Sequence, residues 1–219
     1  FSVIRSKRGQ ALVYIANGRL LRQWCQYRQS GEKLALGKEV TTKRTQEIDD
    51  DLLRAMWMLE RAVKILLDLS NKPNLRDAYN ELGNLHRHLG DYDKSIQYFK
   101  EALQLSQSLG DDSNSIDIIQ ETANVYYLMK DFLQAEELAE QARSQAFKRK
   151  DYYIFARAHR ILGDIYFNRG QFDRAFESVF YACSHVLRLD ANIFLMTSSR
   201  RYILYDLCED WATNLLLEL

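Results

Sequence analysis

Leu82-Gly83-Asn84-Leu85-His86, Thr122-Ala123-Asn124-Val125-Tyr126 and Leu162-Gly163-Asp164-Ile165-Tyr166 are one motif written three times. The step between copies is forty residues. It recurs downstream in Tyr92, Phe132 and Phe172, then in Ser95, Ala135 and Ala175, and again in Ala102, Ala142 and Ala182. A spacing held at four independent columns marks a stacked array of one supersecondary unit, because each unit alone cannot bury its apolar face.

Each unit carries two helical patterns. In the first, Leu75, Ala78, Tyr79, Leu82, Leu85, His86 and Leu89 recur at i, i+3, i+4 and i+7, the spacing of an amphipathic helix. Gly90 supplies a helix stop. Tyr92, Ile96, Phe99, Leu103 and Leu109 form a second helix ending at Gly110-Asp111. Gly83 and Ala102 let two backbones approach, and Tyr92 and Phe99 fill the space beside them.

These columns resemble the tetratricopeptide repeat family. The matching residues are Leu82-Gly83, His86, Gly90-Asp91-Tyr92, Ser95, Phe99 and Ala102 in the first unit, and Leu162-Gly163, Tyr166, Gly170, Phe172, Ala175 and Ala182 in the third. The second keeps Ala123, Tyr126, Phe132, Ala135 and Ala142 but has Thr122 and Lys130 where Leu and Gly are usual. The resemblance implies an all-α, right-handed α-solenoid of helix-turn-helix hairpins with units at 74–113, 114–153 and 154–190. The period exceeds the usual length of about 34 residues, which implies longer helices, as in kinesin light chains and spindle-orientation adaptors.

The flanks follow the same columns less closely. Ala55, Leu59 and Ala62 align one period before Ser95, Phe99 and Ala102, so residues 1–73 are expected to hold a degenerate hairpin. Its first helix is expected at 9–29, with a long polar connection over 30–50. Residues 191–219 are expected to cap the array or begin a truncated repeat.

Composition narrows the function. Lys and Arg balance Asp and Glu at zero formal charge, so no overall field favours nucleic acid or membrane. Cys25, Cys183 and Cys208 stand far apart, which predicts reduced thiols and a cytoplasmic setting. No apolar run reaches the ~18 residues of a membrane span. A first residue of Phe and the ending Leu215-Leu216-Leu217-Glu218-Leu219 read as a piece of a longer protein. The N-terminal thirty residues hold Arg5, Lys7, Arg8, Arg19, Arg22 and Arg28 with no acid. Leu12, Ile15, Leu20, Leu21 and Trp24 read as a buried stripe there, leaving the arginines as a solvated rim. Nucleic acid is therefore not the expected partner.

Catalysis is not expected either. His86 and His88, two apart on a helix, point to different faces, and no HExxH, CxxC, phosphate loop or GxSxG elbow occurs. No catalytic residue, metal or cofactor is predicted. The resemblance instead implies a concave wall lined by first helices, with Asn84, Asn124 and Asp164 in the column that meets a peptide backbone. Neighbouring columns add Asp77, Asn80, Arg87 and His88, then Gln120 and Tyr127, then Arg157, Arg160, Phe167 and Asn168. Arg157 and Arg160, three apart on one face, are placed to clamp a carboxylate or phosphate. The sequence thus predicts a protein-interaction scaffold that holds a peptide or partner helix. The alternative is a regulatory or sensor segment of a multidomain signalling ATPase or defence effector, its groove docking another domain of the same polypeptide or a trigger. A third reading is self-association through the C-terminal helix.

Overall fold

The computed structural model describes residues 6–34 and 42–190, with side chains described over 6–27 and 50–182. Among the described residues every regular element is a helix. They are α1 (Lys7–Leu34), α2 (Thr42–Asp68), α3 (Lys72–His88), α4 (Tyr92–Ser108), α5 (Asp112–Leu128), α6 (Phe132–Arg149), α7 (Tyr152–Asn168) and α8 (Phe172–Asp190). The chain divides into two compact units, Phe1–Ser115 and Ile116–Leu219, with the division in the first turn of α5.

From α3 onward a helix begins every twenty residues, and local chemistry explains why. Ser70, Gly90, Gly110, Lys130, Lys150 and Gly170 all have positive φ, between 50° and 76°. Such a left-handed residue ends a helix by turning the next N–H back onto it. That N–H, from Asn71, Asp91, Asp111, Asp131, Asp151 or Gln171, donates to the carbonyl five residues earlier at 2.9–3.0 Å. The same residue then starts the next helix. Side-chain oxygens of Asn71, Asp91, Asp111, Asp131 and Asp151 each accept the N–H three residues on. One tight turn, reused six times, sets the spacing.

Between the helices of a hairpin the decisive contact is a missing side chain. A Cβ on Gly83 would lie 2.6 Å from Cε1 of Phe99, whose ring is wholly buried. The Gly83 carbonyl also accepts the Ser95 hydroxyl at 2.7 Å, so α3 and α4 meet backbone to side chain. In the N-terminal hairpin a Cβ on Gly18 would lie 2.9 Å from Cγ of Leu59, which occupies the Phe99 column one period earlier. The second repeat solves the same crossing differently, with Ala123 and Ala139 both wholly buried in one cluster. Gly against Phe becomes Ala against Ala. One partner grows as the other shrinks, as close packing requires.

The first unit buries Ala55, Leu59, Ala62, Leu66, Ala78, Leu82 and Leu85 in one core. The second buries Ala123, Ala135, Ala139, Ile161, Leu162, Ile165 and Ala175. The Ala55, Leu59 and Ala62 alignment therefore places core residues as expected. Two other expectations need correction. The polar stretch 30–50 contributes 30–34 to α1 and 42–50 to α2; its Lys, Arg, Gln and Glu residues are good helix formers, so polarity did not mean a loop. The buried stripe of α1 is Ala11, Ile15, Gly18, Arg22 and Cys25, whereas Leu12, Leu20 and Trp24 are 40%, 61% and 51% exposed. Arg22 can face inward because Glu81 of α3, itself buried, accepts its guanidinium at 3.0 Å and that of Arg19 at 2.6 Å. The reading of 191–219 as a cap or truncated repeat lies outside the described residues.

Gly83→Ala gains about 1 kcal/mol of helix propensity but overpacks a filled site at about 1–3 kcal/mol, so urea melts should show net destabilisation. In a Phe99→Ala background the sign should reverse; destabilisation in both backgrounds would refute the Gly–Phe account. Lys130→Gly removes left-handed strain against a smaller entropic loss and should raise stability by about 0.5–1 kcal/mol, read from the same melts.

Candidate functional site

The first-helix columns singled out by sequence lie on α3, α5 and α7, and each unit presents its own part of them. In the first unit, Asp77 accepts Arg76 at 2.7 Å, and Arg76 also reaches Asp111, the cap of α5. Asn84 is only 7% exposed. Its amide donates to the Asn80 carbonyl at 3.1 Å, and its oxygen accepts Arg87 at 3.2 Å. The Asn80 amide oxygen is buried and meets no donor among the described residues. Arg87 and His88 are half-buried at the end of α3. Asn84 is thus committed to its own helix.

In the second unit α5 and α7 lie side by side, joined at both ends. Arg157 of α7 reaches Glu121 at 2.5 Å and Asp117 at 3.4 Å on α5. At the other end, Asn168 donates to the Tyr127 hydroxyl at 3.3 Å and to the Asp164 carbonyl at 2.7 Å. Arg160 pairs with Asp164 one turn along α7 at 3.0 Å. Burial works against charge on Arg157, yet Glu121, the Tyr153 ring 5.4 Å away and Asp117 hold its pKa above the usual guanidinium value. Burial, with the Asp164 charge behind it, likewise raises the Tyr127 hydroxyl, which stays neutral and able to donate. Tyr127 tilts against Phe132, and Phe167 meets Phe172 edge-on, so both rings are fixed.

Charge on this face differs from what the sequence suggested. Arg157 and Arg160 already hold carboxylates of the chain itself, so they do not form an open anion clamp. Three acids, Asp117, Glu121 and Asp164, stand against these two arginines. Gln120 is wholly buried and neither of its amide atoms meets a partner among the described residues. Asn124 is 8% exposed. These two lie toward the helix–helix seam, while Tyr127, Asp164, Phe167 and Asn168 retain surface. Sequence reasoning passed over Glu81, Asp117 and Glu121. The available signal was a charge reversal one period apart: Asp117 and Arg157 occupy the same column.

Two family models match, both described as tetratricopeptide repeat, over residues 74–146 and 121–182. The repeats of this chain belong to the tetratricopeptide repeat family. Solved structures show the same fold at low identity. BtubC (BKLC) from P. vanneervenii superposes with a TM-score of 0.56 at 16% identity, covering 95% of this chain and 91% of that one. A putative kinesin light chain from Podosopora anserina, with nearly identical TPR-like repeats, gives 0.53 at 16% identity over 86% and 96%. A Signal Transduction ATPase with Numerous Domains from Pyrococcus horikoshii, which has a tetratricopeptide repeat sensor, gives 0.57 at 16% identity; the match covers 97% of this chain but 38% of that one. No curated protein matches the chain in sequence. The all-α hairpin array expected from the tetratricopeptide columns is what the chain adopts, and no described helix is long and apolar enough to cross a membrane.

Within the tetratricopeptide frame the Arg157 bridge is a largely buried polar tie between α5 and α7. Arg157→Ala removes the cation 2.5 Å from Glu121, whose side chain is only 9% exposed. Thermal unfolding should report a loss of about 2–4 kcal/mol. Pairing Arg157→Met with Glu121→Leu should recover most of it; no recovery would mean that the bridge is not what holds the two helices.

Proposed function

We propose that this chain is a protein-interaction scaffold and that the α5–α7 face of the second unit binds an extended peptide segment. What carries the reading is the fixed geometry of that face. Hydrogen bonds tie the two helices at both ends, so Tyr127, Asp164, Phe167 and Asn168 stand in place before a ligand arrives. Preordered side chains lose little freedom on binding, which favours affinity. Tyr127 and Phe167 supply an aromatic floor, and the Asn168 amide supplies a donor and an acceptor for a peptide group.

The charge on the face sets the preference. With its arginines already held by carboxylates of the chain itself, the wall favours a neutral or basic segment over a phosphorylated or acidic one. Tetratricopeptide repeats are generally protein-binding modules, which supports the scaffold reading. The likeness to a repeat sensor within a larger ATPase favours a second reading, in which the occupant is another domain of the same polypeptide.

Panning a displayed random-peptide library on the chain tests the first reading. Enriched peptides should carry a positive charge and should lose about tenfold or more in affinity, about 1.4 kcal/mol, with Tyr127→Ala or Asn168→Ala. Melting temperatures should move by only a few degrees. Peptides that bind both variants as well as the parent would place the site elsewhere.

A further inference from the structure

His86 is the odd member of its column, whose other two residues are Tyr126 and Tyr166. Of the three hairpins, only the first thus places here a group that titrates near neutrality. The imidazole is 5% exposed and lies where α3 turns into α4. Its ring stacks on Tyr98 of α4 at 5.3 Å, and Tyr98 stacks in turn on Tyr79 of α3 at 6.0 Å. In the turn itself, the His86 carbonyl accepts the Asp91 N–H at 2.9 Å. The buried Nδ1 lies 3.6 Å from the Asp91 carboxylate, beyond hydrogen-bond reach, and has no hydrogen-bond partner among the described residues.

Burial opposes a charge on this ring, and so does Lys94 of α4, whereas Asp91 and Glu60 of α2 favour it. Burial prevails and holds the imidazole below its ordinary value. The partners explain why. Asp91 is already engaged, accepting the Lys94 N–H at 3.4 Å as the cap of α4 and the Lys94 ammonium at 2.7 Å. Its side chain is also 36% exposed, and Glu60 lies at the surface. Water screens both carboxylates, so they offset little of the cost of a buried cation. The face of the Tyr98 ring adds only a modest attraction. Lys94 keeps the Asp91 carboxylate below its usual range, so the arrangement persists through mild acid.

We propose that His86 makes the α3–α4 hairpin an acid-sensitive element, closed at neutral pH and loosened in mild acid. The unfolded hairpin, with its imidazole in water, takes up a proton near pH ~6.5. The folded hairpin does so only at lower pH. The open form therefore binds more protons in between, so stability is complete above about pH 6.5 and is lost as the pH falls through it. What loosens is the crossing at which Gly83 receives the Phe99 ring and the Ser95 hydroxyl. This device belongs to the first unit and does not rest on the peptide-binding face.

Urea melts of the intact chain at about pH 7.5 and about pH 5.5 test it. Two variants run beside it: His86→Tyr, which matches the rest of the column, and the smaller His86→Gln. Between these pH values the unfolding constant of the native chain should rise about three- to tenfold more than that of either variant, tenfold being the limit for an imidazole kept neutral by the fold. A difference under about threefold would overturn the proposal. Amide exchange in α4, corrected for its intrinsic pH dependence, should quicken in acid in the native chain only; exchange that quickens equally in the variants would place the loosening elsewhere and sink the assignment to His86. An NMR titration of the native imidazole needs neither variant to fold. Its midpoint should fall below about 6.5, and a midpoint at or above that value would show that the carboxylates outweigh burial, which ends the proposal.

Discussion

Everything in this molecule depends on how closely two helices can cross within a hairpin. The Phe99 ring fits only because residue 83 has no side chain, and Leu59 fits against Gly18 for the same reason. That approach brings Ser95 within reach of the Gly83 carbonyl and lets one core form across α2, α3 and α4. The turn chemistry then repeats the arrangement at a constant interval. Polar side chains on the first helices are placed by this frame and then held by hydrogen bonds and ion pairs of their own.

Ion pairs supply the second level of order. Glu81 ties α1 to α3, Arg76 ties α3 to the cap of α5, and Arg157 ties α7 to α5. Each of these pairs lies within one of the two units. Such pairs contribute modest net stability, but removing one partner leaves the other charge poorly solvated. They also consume the guanidinia that would otherwise attract an acidic ligand, which is why the binding preference cannot be inferred from the count of arginines.

Much of this was readable in the sequence, and the boundary has physical causes. The forty-residue columns pointed to the all-helical hairpin fold because small residues facing aromatic ones at fixed offsets are what closely crossed helices require. Helix starts near 72, 92, 112, 132, 152 and 172 follow largely from Gly or Lys before Asn or Asp, a purely local code. What could not be read was pairing. The mutual engagement of Arg157 with Asp117 and Glu121 depends on how two helices sit side by side, and Gln120 differs from Asn168 only in which side of a helix meets a neighbour. The inner side of α1 departs from expectation because side-chain size is no guide to burial where helices cross closely. Gly18 and Arg22 go inside there, while Trp24 stays out.

The exchange of Gly83–Phe99 for Ala123–Ala139 has a consequence for how the chain reaches this state. Tandem segments of similar sequence risk pairing with the wrong neighbour during folding and becoming trapped. A helix carrying Phe99 cannot close on the one carrying Ala123 without a clash, and the helix carrying Ala139 would leave a void against Gly83. Each hairpin thus recognises its own mate, so hairpins shuffled between positions by recombination would succeed only if both halves moved together.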